Sequence, residues 1–222
     1  MGDKGIMKKL CIFDFDGTLF NTIEDVAECL DETLKFYGLE TFTLEQYQQK
    51  VGGNLYEILE NVIGEENSDP ETLEKFKDTY LDIAQKHEYT KTYPYEGMHQ
   101  LLEKLQDNNI KLAVNSNRIP QSINHYLNEY MDNIEFIDIQ GHVPTNPSKP
   151  HPYGVNHILK TANLDVEDAI YIGDSSTDIL TAKNAGIDLV LVSWGYSDSE
   201  DLKNEYVTAI IDTSDELFEI IY

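Results

Sequence analysis

Short apolar runs that alternate with amphipathic segments are the feature that most constrains the fold of this chain. The runs occupy residues 10–13, 110–114, 134–139, 169–172, 187–192 and 207–211. From residue 110 onward they alternate with segments of helical spacing, and these are residues 98–107, 121–130, 153–161, 177–185 and 215–221. Such alternation is typical of βαβ units. The sequence therefore predicts an α/β fold with a doubly wound parallel sheet.

The stretch between the first two apolar runs breaks this alternation. Residues 22–91 contain no strand-like pattern, but four helical patterns, at residues 23–37, 44–50, 55–63 and 71–87. Val26, Leu30 and Leu34 recur at helical spacing, which indicates a packed helix face. We therefore predict a core of residues 1–18 and 93–222, interrupted by a helical insert of residues 19–92. If the chain starts at Met7, residues 1–6 are an appendage.

Composition excludes several classes of function. The 222 residues include 16 Lys+Arg and 41 Asp+Glu, a formal net charge of −25. Binding to nucleic acid needs a basic footprint, and docking on an anionic membrane needs one too. No apolar run of about 18 residues could span a membrane, and no secretory signal is present. The two cysteines fit neither a disulfide framework nor a zinc site. We expect a cytoplasmic protein.

A pair of aspartates follows the first apolar run directly, in Asp14-Phe15-Asp16-Gly17-Thr18. Residues i and i+2 of a strand point to the same face, and open α/β sheets bind ligands beyond their strand ends. Two carboxylates there could supply a nucleophile and an acid or base. A plain Asp-Gly turn with an incidental second aspartate is the alternative.

A second acidic pair follows a later apolar run, in the segment Gly173-Asp174-Ser175-Ser176-Thr177-Asp178. Asp174 lies at the end of the predicted strand and Asp178 one turn into the following helix. Together with the first pair they form a plausible oxygen cage for Mg²⁺. Asp, Ser and Thr also favour helix N-termini, so capping is the alternative.

Two weaker signals complete the candidate set. Asn115-Ser116-Asn117 closes the run at residues 110–114, where a hydroxyl and backbone N–H groups at a helix start could bind an anion. Strand-to-helix loops are commonly rich in Ser and Asn, so this signal alone is weak. Lys149 is flanked by prolines in a chain with few cations, although a loop lysine is most often simply solvated.

Taken together and in chain order, these motifs resemble those of the haloacid dehalogenase superfamily of phosphotransferases. The motifs are Asp-x-Asp-Gly-Thr, Ser, Lys and Gly-Asp-x-x-x-Asp, each at a strand end or in the loop after one. The resemblance covers nearly the whole chain, and the helical insert is similar to the cap that this superfamily carries after its first strand. It implies phosphoryl transfer to and from an aspartate.

The resemblance also implies roles for the four aspartates. Asp14 would be the nucleophile, and Asp16 would protonate the leaving alkoxide and then activate water. Asp14, Asp174 and the backbone carbonyl of Asp16 would bind Mg²⁺, with Asp178 a direct or water-mediated ligand. True dehalogenases of the superfamily lack the second aspartate, so Asp16 favours phosphate-ester chemistry.

The remaining motif residues would bind the substrate's phosphate. The resemblance assigns phosphate oxygens to the Gly17–Thr18 backbone and to Ser116 and Asn117. Lys149 would offset the negative charge that the carboxylates and the phosphate concentrate in one place. The expected partner is a small phosphorylated metabolite, and we expect a monomer or a weak homodimer.

Two segments, Gly173–Gly186 and Ser193-Trp194-Gly195-Tyr196, are similar to those of the phosphoglycolate phosphatase branch. One departure concerns the start of the insert, where Asn21-Thr22 replaces the branch's usual Asp-Ser. A β-phosphoglucomutase-like enzyme is an alternative, although Leu55 stands where its arginine is expected. A pyrophosphatase, a nucleotidase and a non-enzymatic regulatory module with the same fold are further alternatives.

Overall fold

A computed structural model describes residues 7–197 and 199–221 of the chain. The strands are β1 (Leu10–Phe13), β2 (Phe20–Asn21), β3 (Tyr93–Pro94), β4 (Lys111–Asn115), β5 (Phe136–Gln140), β6 (Ala169–Gly173), β7 (Asp188–Val192) and β8 (Ala209–Ile211). The α-helices are α1 (Ile23–Phe36), α2 (Leu44–Gln48), α3 (Leu55–Ile63), α4 (Pro70–Lys86), α5 (Met98–Asp107), α6 (Pro120–Tyr130), α7 (Tyr153–Ala162), α8 (Ser176–Ala185) and α9 (Ser214–Ile221). The expectation that residues 1–6 are an appendage falls outside the described residues.

Six of the strands form one parallel sheet in the order β5-β4-β1-β6-β7-β8. The chain starts in the middle, builds outward through β4 and β5, and then crosses back to continue on the other side of β1 from β6 to β8. This reversal of strand order next to β1 is the topological switch point of a doubly wound sheet, where ligands bind at the carboxyl ends of the strands. The predicted fold class is therefore confirmed.

The central strand β1 is buried on both faces, as a parallel sheet between two helix layers requires. Cys11 and Phe13 contribute to the apolar core on one face, and Leu10 and Ile12 contribute to the core on the other. Because side chains alternate along a strand, β1 ties both helix layers to one rigid element. Its continuation into Asp14 is anchored as well, since the Asp14 N–H donates to the Ile172 carbonyl at 2.8 Å.

The four helices α1 to α4 form the helical insert, and they pack around an apolar cluster of their own. Leu30, Leu34, Tyr47, Leu59 and Phe76 are among its buried members. Two of the helices begin with reciprocal caps, in which the side chain at the N-cap and the side chain three residues later satisfy each other's backbone N–H. No strand interrupts residues 22–91, all of which the structure describes, in agreement with the sequence pattern.

A two-stranded antiparallel ladder that the sequence pattern did not predict joins the insert to the sheet. Phe20 of β2 pairs with Pro94 of β3, and Asn21 pairs with Tyr93. The ladder brings the two connections between sheet and insert side by side, because the chain leaves through β2 and returns through β3. Two residues per strand are too few to produce a period-two signal in the sequence.

The buried carboxylate of Asp25 fastens the start of α1 to the returning chain. It accepts hydrogen bonds from His87 Nε2 (3.0 Å), from the Lys91 N–H (3.0 Å) and from Thr92 Oγ1 (2.7 Å). His87 is thereby a hydrogen-bonded residue that links α1 to the chain after α4. Among the described residues, no helix is both long and apolar enough to cross a membrane.

The insert's own core predicts a clear contrast between two leucine substitutions. Leu30 is fully buried in α1, whereas Leu81 in α4 is 42% exposed. Leu30→Ala should lower the free energy of unfolding by about 2–5 kcal/mol through lost burial and a cavity. Leu81→Ala should change it by no more than about 0.5 kcal/mol. Urea unfolding followed by circular dichroism measures both, and equal losses would contradict the packing described for the insert.

Candidate active site

The polar motifs converge because three neighbouring strands end at the same edge of the sheet. β1 is hydrogen-bonded to β4 on one side and to β6 on the other, with all three parallel. Asp14 follows β1, Ser116 follows β4, and Asp174 follows β6. The three loops therefore form one concave surface at the switch point, on which the remaining motif residues lie.

Three carboxylates are crowded together at this edge. Carboxylate oxygens of Asp14, Asp174 and Asp178 all lie within 4.8 Å of one another, and the three residues are buried, with 6%, 1% and 0% of their surface exposed. Carboxylates at this separation repel each other strongly when water is excluded. Such a group needs a cation to be stable in its ionised form.

Lys149 supplies one positive charge to this cluster. Its Nζ lies 2.8 Å from Asp14 Oδ1 and 2.8 Å from Asp178 Oδ1, and the side chain is almost completely buried. Burial alone would lower the pKa of this lysine, but the two carboxylates outweigh that effect and raise it well above its ordinary value. Lys149 is therefore held as a cation between the two acids.

One ammonium group does not compensate three carboxylates. Burial and the neighbouring Asp178 raise the pKa of Asp14 from 3.8 to about 7, despite the opposing attraction of Lys149. Burial, followed by Asp178 and Asp14, likewise raises the pKa of Asp174 well above its ordinary value. Clustered, buried carboxylate oxygens whose negative charge is not fully compensated are the ligands that Mg²⁺ prefers. These residues therefore fit a divalent cation.

Asp178 is both a helix cap and a member of the cluster. Its Oδ2 accepts from the Asp174 and Ser175 N–H groups, both at 3.1 Å, and from the Ser175 hydroxyl. Its Oδ1 accepts from Lys149 and, at 3.2 Å, from the Tyr171 hydroxyl. The capping alternative weighed from the sequence is thus correct for one oxygen of this carboxylate, and the other oxygen faces the cluster.

Asp174 is positioned by the loop that follows Asp14. The Thr18 hydroxyl donates to Asp174 Oδ1 at 2.9 Å, and the Tyr196 N–H donates to Oδ2 at 2.7 Å. Gly17 has a φ of +79°, and a Cβ built there would overlap the Asp174 carboxylate. Only glycine therefore allows this close approach without strain. The Gly17 N–H donates to the Phe20 carbonyl at 2.9 Å, so a phosphate contact at Gly17 would compete with that bond.

Asp16 does not join the three clustered carboxylates, although it is only two residues from Asp14. Its carboxylate accepts three hydrogen bonds from Arg118 at 2.6 to 3.1 Å, and one from the Thr22 hydroxyl at 2.6 Å. Burial would raise the pKa of Asp16, but the Arg118 guanidinium and these hydrogen bonds outweigh it and hold the pKa below its ordinary value. The two motif aspartates therefore occupy electrostatically opposite environments.

The Ser116 loop departs from the expectation in one respect. We expected Ser116 and Asn117 at a helix start, but α6 begins only at Pro120, so both lie in an irregular loop between β4 and that helix. Proline favours the first position of a helix, which explains where α6 starts. Any anion site here is formed by the loop and not by the end of α6.

The Asn117 side chain links this loop to Lys149 and to the helical insert. Its Oδ1 accepts from the Lys149 N–H at 2.9 Å, and its Nδ2 donates to the carbonyls of Lys149 and Gly53, both at 3.2 Å. The side chain is thus fully used in positioning Lys149 and contacting the insert. A phosphate contact at Asn117 would come from its backbone N–H.

Four residues at the site were not among the predicted ones: Thr22, Arg118, Tyr171 and Tyr196. Arg118 had a signal in the sequence, because it is the only arginine of the chain and directly follows Ser116-Asn117. Tyr171 had none, and Thr22 and Tyr196 lie in segments that were noted only for their similarity to known families, without the hydrogen bonds that they make to the aspartates. Their contacts depend on how the strands are ordered.

Known proteins have the same fold and belong to the same sequence family as this chain. The sequence model of the haloacid dehalogenase-like hydrolases matches residues 11–192. The chain belongs to this family, and the expected class of enzyme, a hydrolase of the haloacid dehalogenase superfamily, is confirmed. The match spans the helical insert and the four motifs from Asp14 to Asp178, and it ends before Tyr196.

Individual relatives indicate the branch of this family to which the chain is most similar. A phosphoglycolate phosphatase of Aquifex aeolicus is 31% identical over 194 residues, which cover 85% of this chain and 86% of the relative. One from Pseudomonas savastanoi pv. phaseolicola is 30% identical over 213 residues, covering 94% and 78%. A crystal structure from Lactobacillus delbrueckii subsp. bulgaricus has the same fold, with a TM-score of 0.90 at 24% identity over 97% of this chain and 99% of its own. The resemblance to the phosphoglycolate phosphatase branch is confirmed.

The carboxylate cluster predicts a pH-dependent response to Mg²⁺. In the metal-free protein, the raised pKa values of Asp14 and Asp174 mean that the folded state holds protons that the unfolded state releases. These groups therefore destabilise the fold as pH rises from about 4 through 7. Mg²⁺ needs ionised ligands. It should raise the melting temperature several degrees at pH 8 and far less at pH 5, as calorimetry can measure.

Asp174→Asn provides the matched test of this prediction. Asn can keep both hydrogen bonds, because the Thr18 hydroxyl can accept in place of donating. The variant should be more stable than the wild type without metal at pH 8, and its response to Mg²⁺ should be largely lost. Asp107→Asn, at the exposed end of α5, serves as the control and should behave like the wild type. An undiminished Mg²⁺ response in Asp174→Asn would rule out the metal assignment.

Proposed function

We propose that this protein is a Mg²⁺-dependent phosphatase that hydrolyses a small phosphomonoester through a phosphorylated Asp14. The observation that carries the proposal is the cluster of Asp14, Asp174 and Asp178 with Lys149 at the switch point of the sheet. A phosphoryl group in transfer spreads negative charge over its oxygens, so positioned cations are the main requirement for catalysis.

Asp14, Asp174 and Asp178 would hold the metal, together with the backbone carbonyl of Asp16. When bound, Mg²⁺ neutralises charge on the phosphate and on its carboxylate ligands. Lys149 remains paired with Asp14 and Asp178, so it keeps the nucleophile ionised and oriented. The repulsion that raises the pKa of Asp14 in the protein alone supports a site that functions with a cation in place.

In the first step, an Asp14 oxygen attacks phosphorus, and the bond from phosphorus to the ester oxygen breaks. The leaving alkoxide takes a proton from Asp16, which must first take one up from solvent as substrate binds, because Arg118 holds its pKa below the ordinary value in the protein alone. Arg118 and Thr22 hold Asp16 to one side of the carboxylate cluster. This placement supports Asp16 as the group that meets the leaving oxygen, because it does not compete with Asp14 for the phosphorus.

In the second step, water attacks the phosphorus of the aspartyl-phosphate. Asp16 takes a proton from that water, and the bond from phosphorus to the Asp14 oxygen breaks, which regenerates the carboxylate and releases phosphate. The Ser116 hydroxyl and the backbone N–H groups of Thr18 and Asn117 would hold the phosphate oxygens during both steps. The role of Gly17 is mainly steric, because a side chain at this position would overlap the Asp174 carboxylate.

The first substrate to test is phosphoglycolate, because the relatives from Aquifex and Pseudomonas are phosphoglycolate phosphatases. We further infer a cytoplasmic protein that is a monomer or a weak homodimer, which the acidic composition supports. Neither a nucleic-acid partner nor a membrane partner is proposed, on the same charge argument.

A substrate panel with Mg²⁺ and with EDTA tests the activity. We expect phosphate release from phosphoglycolate at rates at least about 10³-fold above the Asp14→Ala variant, and loss of activity in EDTA. Pyrophosphate, β-glucose 1-phosphate and nucleoside monophosphates in the same panel separate the alternative activities of this family. Turnover of none of these substrates would favour a non-enzymatic regulatory module.

Asp14→Ala needs a control that removes an acid elsewhere. Asp107→Asn removes one at the opposite edge of the sheet, where α5 leads into β4, and should keep full activity. Trapping of ³²P on the wild-type protein after acid quench, and its absence in Asp14→Ala, would identify the phosphorylated residue. Labelling of the Asp14→Ala variant would refute the nucleophile assignment.

A further inference from the structure

We propose that Arg118 binds a carboxylate carried by the leaving group of the substrate, and so selects phosphate esters that have a second anionic group close to the ester oxygen. This inference rests on the proposed phosphatase function and names the substrate class of the same site. It starts from the geometry of one side chain, which none of the sequence motifs includes.

The Arg118 guanidinium is a buried, well-positioned fork. Its Nε lies 3.0 and 3.1 Å from the two oxygens of Asp16, and its Nη2 lies 2.6 Å from Asp16 Oδ1. Nη1 donates to the Ser122 hydroxyl at 3.0 Å, and the group lies 5.7 Å from the centre of the Phe15 ring. The side chain is 12% exposed, so it is not completely enclosed.

The fork has donors left over for a ligand. A guanidinium carries five N–H groups. Asp16 engages the Nε–H and one N–H of Nη2, and Ser122 engages one N–H of Nη1. Within residues 7–197 and 199–221, the second hydrogens of Nη1 and Nη2 have no acceptor. A carboxylate could bind there or could displace the Asp16 carboxylate from the fork.

The position of Arg118 relative to the reacting atoms identifies which part of the substrate it meets. Asp14 faces phosphorus in the proposed reaction, and Asp16 faces the ester oxygen. Arg118 contacts Asp16 directly, so it lies on the side of the leaving group and not among the phosphate ligands. A carboxylate one carbon from the ester oxygen would come within reach of this guanidinium.

The two buried cations of the site are therefore not equivalent. Lys149 is fully engaged between Asp14 and Asp178, on the phosphate side. Arg118 is the only arginine among the 16 basic residues of the chain. Arginine presents parallel donors that match a carboxylate in two-point contact, which lysine cannot do. An arginine at this position is therefore suited to bind a planar anion such as a carboxylate.

Two non-hydrolysable phosphonates test the inference without turnover. 3-Phosphonopropionate has the length of phosphoglycolate with CH₂ in place of the ester oxygen, and propylphosphonate is the same molecule with methyl in place of the carboxylate. Calorimetric titration with Mg²⁺ present measures the dissociation constants of both compounds. The wild type should bind 3-phosphonopropionate roughly 10- to 100-fold more tightly than propylphosphonate, the ratio expected for hydrogen bonds to a charged group.

Arg118→Met should bring the ratio of the two dissociation constants close to one. The change should come mainly from weaker binding of 3-phosphonopropionate, because both compounds share the phosphonate contacts. Arg118→Lys keeps the charge without the fork and should give an intermediate ratio. A wild-type ratio near one would overturn the inference. So would a ratio that is unchanged in Arg118→Met, which would leave Arg118 only the role of positioning Asp16. If Arg118→Met does not fold, Arg118→Lys decides, because an undiminished ratio in that variant overturns the inference.

This experiment separates the inference from the proposed function. Turnover of phosphoglycolate together with an Arg118-independent binding ratio would refute the inference alone. An Arg118-dependent ratio in a protein that hydrolyses none of the panel would refute the proposed phosphatase and leave Arg118 as a carboxylate-binding residue. Ser122→Ala removes the neighbour of Nη1 without touching the charge, and it should retain most of the wild-type ratio.

Discussion

The site depends on an unbalanced charge: three buried carboxylates share one buried ammonium. Lys149 bridges Asp14 and Asp178 at 2.8 Å each, and Asp174 lies beside them with no cation of its own among the described residues. Much of the surrounding structure makes this crowding possible. Thr18 and Tyr196 hold Asp174 by hydrogen bonds, and glycine at position 17 leaves room for its carboxylate. If the protein itself neutralised the charge of all three carboxylates, the site would have little affinity for a cation.

A second consequence is the separation of two aspartates that are almost adjacent in sequence. Asp14 is crowded by like charges, which raises its pKa, whereas Asp16 is paired with Arg118, which lowers its pKa. Pairs of acids with opposite shifts commonly divide the roles in a reaction. Here the backbone supplies the separation, because the chain turns at Phe15, between the two aspartates, immediately after the strand. One carboxylate faces β6 while the other faces Arg118 and the insert.

The sequence was sufficient to predict the sheet, the helical insert and the main motif positions, because these depend on local periodicity and on residues at strand ends. The boundaries of the predicted strands and helices differ from those in the structure by two residues at most, as at Ala209, where β8 begins. Contacts between side chains from distant segments were beyond reach. Arg118 meets Asp16 across 102 positions, and Asn117 meets Gly53 across 64. Such pairs follow from strand order and loop geometry, which no local pattern encodes. The placement of Ser116 at a helix start failed because a four-residue loop separates β4 from α6, which begins at Pro120.

The overall charge of −25 now has a more specific meaning. A field of this sign repels an anionic substrate at a distance, so association cannot depend on long-range steering. Attraction must act at contact range, inside a site where water is excluded and each cation counts for more. Lys149 and Arg118 are both placed there, on opposite sides of the Asp14–Asp16 pair. A chain so poor in basic residues thus positions one of its few lysines and its single arginine where a substrate's two ends would meet them. An anion that fits both is favoured over one that fits either, because desolvation penalises a buried charge left without its partner.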